Sequence, residues 1–267
     1  MGKIVLFASG KGGTGKTTLT SHVGAALAAS GRLTVLVDAD VGFRNLDIAL
    51  GLESSIVYDY SDYINGNSDF DDILIKSPDL ENLYFVAAPQ SASAADFNKK
   101  KAAKFWYNLK NRFDFILADA PAGMGDGFLF AAGYADEAVI VSLAETSSLR
   151  DADRVVDVLE DMGVETIRLV LNRIRPDLIE RRIMMNVDDC VDVLSIPILG
   201  IVPEDGMVAE SMIKGTPYME STDAGAGKAF CNIARRLEGN QVPIMDFEGE
   251  ADRGFIGKVR SFFRRQQ

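Results

Sequence analysis

The sequence predicts a doubly wound α/β fold with three layers, helices covering both faces of a mostly parallel sheet. Three observations predict it. Short apolar, β-branched runs recur along the chain, helix-like segments separate most of them, and the first run opens into a glycine-rich turn followed by a helix. Strands apolar on both faces need cover on both faces, and alternation with helices yields right-handed crossovers onto one sheet.

The strand-like runs are Lys3 to Ala8, Leu33 to Val37, Leu83 to Ala87, Phe115 to Ala118, Ala138 to Ser142, Ile167 to Leu171 and Ile198 to Val202. Helical patterns lie at Lys16 to Ser30, Lys99 to Asn111, Ser148 to Met162 and Val187 to Leu194. In such sheets ligands bind beyond the carboxyl ends of the strands, so the residues just after each run are the ones to search for chemistry.

With 267 residues, 47% of them hydrophobic, the chain suits one large domain over residues 1–240. Its apolar runs fall short of the ~18 residues a spanning helix needs, and the N-terminus lacks the basic-then-apolar order of a signal peptide, so a cytoplasmic location is expected. Cys190 and Cys231 stand 41 residues apart without a C-x-x-C partner and read as reduced helical thiols. The net charge of −11 argues against nonspecific nucleic-acid binding, which needs Lys and Arg in excess. That charge is uneven. Arg253, Lys258, Arg260, Arg264 and Arg265 give the last fifteen residues a local +5, leaving −16 for the remainder.

Gly10-Lys11-Gly12-Gly13-Thr14-Gly15-Lys16-Thr17-Thr18 fits G-x-x-x-x-G-K-[ST] and leads directly into a helical pattern, which makes the expected fold a P-loop NTPase. The glycines let backbone N–H groups close around a phosphate, the helix N-terminus adds a favourable dipole, Lys16 balances charge and the Thr17 hydroxyl can reach Mg²⁺. Asp38 and Asp40 follow the second run and Asp119 the fourth, where a Walker B carboxylate would hold the metal or its waters. Phosphoryl transfer asks mainly for positioning and charge neutralisation, so a carboxylate orienting water is a sufficient catalyst, and Asp40 is the candidate. His22, the one histidine, reads as a packed residue.

Lys11 gives the loop the deviant form K-G-G-x-G-K-T, and with it the chain resembles the ParA/MinD family of dimerising ATPases, which implies a P-loop fold of the SIMIBI type. Asp38-Ala-Asp40-Val-Gly-Phe-Arg-Asn-Leu-Asp47, Asp119-Ala-Pro-Ala-Gly123, Ser147 to Arg154, Asn172 to Pro176 and Ile201 to Asp205 carry the resemblance over essentially the whole length, most closely to the branch that places the division septum. The resemblance implies an ATP- and Mg²⁺-dependent homodimer in which Lys11 crosses to the partner's phosphate while Lys16 serves its own nucleotide. It also implies that Asp40 orients the attacking water, that Asp38 and Asp119 lie near Mg²⁺ with Thr17, and that Asn172, Pro203, Glu204 and Asp205 frame the adenine. The implied partners are a MinC-like division inhibitor and a MinE-like or other topological regulator. Two departures touch the switch loops and partner contacts: Met124 to Gly127 is richer in glycine than usual, and Arg182 stands where glycine is common.

Residues 241–253 read as a flexible acidic linker carrying Asp246, Glu248, Glu250 and Asp252, and 254–267 as an amphipathic helix. On a wheel of roughly 100° per residue, Phe255, Ile256, Val259, Phe262 and Phe263 fall within about 120°, with Lys258, Arg260 and the other bases outside it. This is the pattern of a helix lying on anionic lipid, which would place the protein peripherally on the inner face of the cell membrane in its ATP state. Three other readings share parts of the pattern: a flagellar-placement ATPase of the FlhG type, a partition ATPase binding DNA through a local patch, and a scaffold that binds nucleotide without turnover. An iron–sulfur reductase with the same loop needs cysteines near the switch, and residues 87–140 contain none.

Overall fold

The computed structural model describes residues 1–90, 97–217 and 225–245. The residues expected to form a membrane helix, Phe255, Ile256, Lys258, Val259, Arg260, Phe262 and Phe263, and most of the expected acidic linker lie outside them. Among the described residues the strands are β1 (Lys3–Ala8), β2 (Thr34–Asp38), β3 (Ile75–Lys76), β4 (Leu83–Val86), β5 (Phe115–Asp119), β6 (Glu137–Leu143), β7 (Ile167–Ile174) and β8 (Ile198–Pro203). The helices are α1 (Lys16–Ala29), α2 (Leu46–Leu50), α3 (Tyr60–Asn65), α4 (Lys99–Arg112), α5 (Asp126–Ala132), α6 (Thr146–Asp161), α7 (Pro176–Glu180), α8 (Val187–Leu194), α9 (Gly206–Lys214) and α10 (Ala226–Leu237).

The strands form one sheet in the order β3-β4-β2-β5-β1-β6-β7-β8, parallel except for the short edge pair β3–β4. Alternation along each strand splits the core in two. Ile4, Leu6 and Ala8 face one cluster with Phe105, Trp106 and Leu149, while Val5 and Phe7 face the other with Leu19, Phe230 and Ile233. Burial of both faces is what the continuous apolar runs anticipate. β3 and six of the helices escape the run-by-run reading, and two of those helices, α2 and α7, span only five residues each, too few to show a period.

Parallel register sets the site. Asp38 at the end of β2 pairs with Asp119 at the end of β5, and Asp119 also aligns with Phe7 of β1. Both carboxylates therefore emerge beside the turn that leaves β1 for α1. At the other end of the chain, Arg236 of α10 donates to the carbonyls of Leu199, Val242 and Pro243, fastening the first linker residues to the base of β8. Among the described residues no helix is long and apolar enough to cross a membrane.

Candidate nucleotide site

The turn from β1 to α1 takes its shape from its glycines. Gly13 (φ 81°) and Gly15 (φ 87°) adopt left-handed conformations that a side chain would strain. A Cβ on Gly12 or Gly13 would meet nothing within 4 Å, whereas one on Gly15 would sit 2.2 Å from the amide nitrogen of Asn172. That nitrogen donates to the Thr14 carbonyl at 2.8 Å, so Asn172, at the end of β7, braces the loop from behind. The Thr14 hydroxyl is buried without a hydrogen-bond partner. An open glycine face, a free helix N-terminus and an orphaned hydroxyl together fit a polyphosphate.

Asp119 is the hub. It accepts from Lys16 Nζ at 2.9 Å, Thr17 Oγ1 at 2.6 Å and Thr20 Oγ1 at 3.2 Å. Lys16 and Asp119 are both buried, so the cation balances the carboxylate where water cannot. Thr20 is absent from the motif reading, although its position four residues after Lys16 puts it on the same helix face.

Among the described residues Asp38 has no such cation. It is fully buried and its oxygens accept from the backbone N–H groups of Asp40 (2.8 Å) and Leu46 (3.3 Å). Burial, with the Asp119 charge adding to it, pushes its carboxyl up to about 7. Asp40, half-buried, is raised first by burial, with Lys16 pulling it back and Asp119 pushing it further. Thr17, Asp38 and Asp119 offer the hard oxygen donors Mg²⁺ takes, and Mg²⁺ commonly binds through one or two carboxylates with substrate phosphates and waters completing its shell.

The loop after Asp40 is strapped down by Arg44. Its guanidinium donates to the Ala88 carbonyl at 2.5 Å and pairs with Asp59 at 3.2 Å, while its backbone sits at φ 21°, outside the common regions. Lys11 points across the surface of its own chain, with Nζ 3.3 Å from Glu145 and 3.2 Å from the Ser147 hydroxyl at the start of α6. Neither contact is legible in the motif, because 134 residues separate Lys11 from Glu145.

Pro203 ends β8, and the Glu204 N–H donates to Ile174 at 3.0 Å. Asp205 caps α9 through the Met207 N–H (3.0 Å) and holds the Ala226 N–H at the start of α10 (3.2 Å). Both of its carboxylate oxygens are thus used to shape the loop, while the Glu204 carboxylate lies 3.7 Å from the Arg175 guanidinium. Arg182 takes φ 55°, a conformation glycine adopts without cost. His22 is packed, contacting the Thr18 carbonyl (2.7 Å) and the Ser211 hydroxyl (3.0 Å). Burial pushes its pKa down to about 4. Cys190 and Cys231 are free thiols in α8 and α10.

Comparison with known proteins agrees with this geometry. Residues 5–218 match the CobQ/CobB/MinD/ParA nucleotide binding domain. The septum site-determining protein MinD of Synechocystis is 44% identical over 248 residues, covering 92% of this chain and 93% of that one. The MinD chain of a MinC:MinD cell division complex from Aquifex aeolicus superposes with a TM-score of 0.83 at 37% identity, covering 91% and 98% of the two chains. A Pyrococcus horikoshii MinD complexed with Mg-ADP gives 0.79 at 29% identity, covering 89% and 96%. Dense phosphate-loop geometry, a shared sheet and near-complete coverage place the chain in the CobQ/CobB/MinD/ParA nucleotide-binding family, among its MinD septum site-determining proteins.

Proposed function

We propose that the protein is a Mg²⁺-dependent ATPase that dimerises on ATP, binds anionic membrane while dimeric and recruits a division inhibitor there. The observation that carries the hydrolytic part is the convergence of Lys16, Thr17 and Asp119 beneath an open glycine cradle, with Asp40 beside them. Lys11, Gly12, Gly13, Thr14, Gly15, Lys16, Thr17 and Thr18 wrap the phosphates. Thr17, with Asp119 and Asp38 behind it, holds the metal or its waters, and bound Mg²⁺ would neutralise charge on the phosphate oxygens. Asp40 orients the attacking water. Its partial burial and raised affinity for protons suit a carboxylate that accepts a hydrogen bond near phosphate.

Among the described residues the Lys11 ammonium makes exposed contacts to Glu145 and Ser147, which are weak and replaceable. In the dimer it exchanges Glu145 and Ser147 for the partner's phosphate. The relative solved as a MinC:MinD complex supports a MinC-like inhibitor as partner, and a MinE-like or other topological regulator would trigger hydrolysis.

Residues 254–267 supply the membrane contact. Each apolar side chain contributes at most about 1.5–3 kcal/mol on full burial, before ordering costs, so one copy binds marginally. Two copies on one dimer bind together, and effective concentration raises avidity by ~10²-fold or more. Hydrolysis separates the copies and releases them.

Cosedimentation with anionic liposomes tests the whole cycle: binding is expected with ATP or a nonhydrolysable analogue and not with ADP. Truncation before residue 254 should abolish sedimentation and keep nucleotide binding. Asp40→Ala should lower turnover by about 10²-fold or more. Equal sedimentation in every nucleotide state, or an unchanged rate in Asp40→Ala, would refute the corresponding half.

A further inference from the structure

We infer that Gly127 is a positioning residue for ATP hydrolysis, its missing side chain letting α5 fix the peptide that carries both Asp38 and Asp40. The inference rests on the hydrolytic reading above. Gly127 is buried at the second position of α5, in ordinary helical backbone rather than a left-handed turn. Alanine is the better helix former at such a position, so conformation does not explain the glycine. Space does. A Cβ there would lie 2.3 Å from the Ala39 carbonyl oxygen and 3.2 Å from two ring carbons of Pro121.

Ala39 is the residue between the two switch acids, and it is held from both sides. Its N–H donates to the Asp119 carbonyl at 2.9 Å, and its carbonyl accepts from Val41 at 3.1 Å while lying against Gly127. The Asp40 N–H returns to the Asp38 carboxylate at 2.8 Å. A shift of the Ala39 peptide therefore moves Asp38 and Asp40 together, relative to Lys16 and Thr17, which are anchored separately on Asp119. Through this one contact the segment after Asp119 sets where Asp40 points. The glycine-rich stretch Met124 to Gly127 thus divides into two kinds of residue, because a Cβ on Gly125 would meet nothing within 4 Å.

The test is single-turnover hydrolysis of MgATP by the full chain, with MgADP and MgATP affinities measured alongside. Gly127→Ala pushes on backbone, so the carbonyl or the helix must move, and a misplacement near 1 Å at a reacting group costs on the order of 100-fold. The expected result is a fall in hydrolysis of about 10- to 100-fold, with both affinities within about threefold of the parent. Gly125→Ala should stay within about twofold in every measurement. A purely structural role would lower affinity and rate together, or neither.

Hydrolysis by Gly127→Ala within about twofold of the parent would overturn the inference. If that variant does not fold, Ala39→Gly decides. Loosening the same peptide should lower turnover by about threefold or more at unchanged affinity, and unchanged turnover would overturn the proposal. Failure of the hydrolytic reading is distinguishable, because then Asp40→Ala would also leave the rate unchanged.

Discussion

The two ends of the sheet bury carboxylates in opposite ways. At the amino end, Glu137 is fully buried and ion-paired to Lys3 and to Arg168. Asp136 beside it accepts from the Ile4 N–H at 2.8 Å and from Lys110. At the carboxyl end, Asp38 is equally buried, has a second carboxylate for a neighbour and, among the described residues, receives no side-chain cation. The one nearby lysine is taken by Asp119. Glu137 and Asp119 are thus each matched by a cation, and Asp38 is the acid whose setting differs, at the end arranged to receive an incoming charge. Unpaired buried charge is costly, and such cost is retained where a ligand relieves it.

The largest expected effect tests the amino end. Glu137→Ala leaves two cations facing each other and should lower unfolding free energy by about 3–5 kcal/mol in urea melts. Nucleotide affinity, measured where the variant is still folded, should hardly change. A stable variant with weakened nucleotide binding would break the comparison.

His22 is buried neutral, a third way of keeping a titratable group inside. Its folded pKa, about 4, lies below the ordinary histidine value of 6.5, so its contribution is complete above pH 6.5 and is lost as pH falls to 4. The amount is roughly 3 kcal/mol. The slope of unfolding free energy between pH 6.5 and 4 should be visibly flatter in His22→Gln, and identical slopes would assign acid sensitivity to the carboxylates instead.

The carboxyl end should respond to ligand. ADP with Mg²⁺ at about 100 times its dissociation constant should stabilise the protein by about 2.7 kcal/mol, and removing Mg²⁺ with EDTA at the same ADP concentration should erase most of that. Full stabilisation by ADP alone would mean that the acids at this end need no cation. Smallest is Arg236→Lys, which keeps the charge and loses the fork that reaches three carbonyls. A loss of about 1–2 kcal/mol is expected in thermal melts, with hydrolysis unchanged.

Much of the carboxyl end is legible in sequence because its chemistry is dense and local. Gly10 to Thr18 states its purpose in nine consecutive residues, and Asp38 and Asp119 announce themselves by following strands that register aligns. The amino end is not legible. Glu137, Lys3 and Arg168 come from three strands far apart in the chain and match no motif. Arg44, Glu145 and the contact of Gly127 with Ala39 fail for the same reason, since each depends on a tertiary neighbour. Thr20 and α10 are different. Ala229, Phe230, Ile233 and Leu237 recur at helical spacing, so the signal for α10 exists in the sequence without help from the fold.

The Arg236 clamp gives the chain that continues beyond residue 243 a fixed starting point. Residues 242 and 243 are tied to the base of β8, and Ile244 and Met245 rest against the two cores. A fully extended chain spans at most ~3.3–3.6 Å per residue, so residue 254 can reach no further than roughly 30 Å from Met245. If two copies dock on ATP as proposed, the separation of the two fixed points is set by how the bodies meet; if residues 254–267 bind membrane as proposed, whether both reach one flat surface depends on the angle between the bodies, and a longer connecting segment would relax that angular requirement at the expense of avidity.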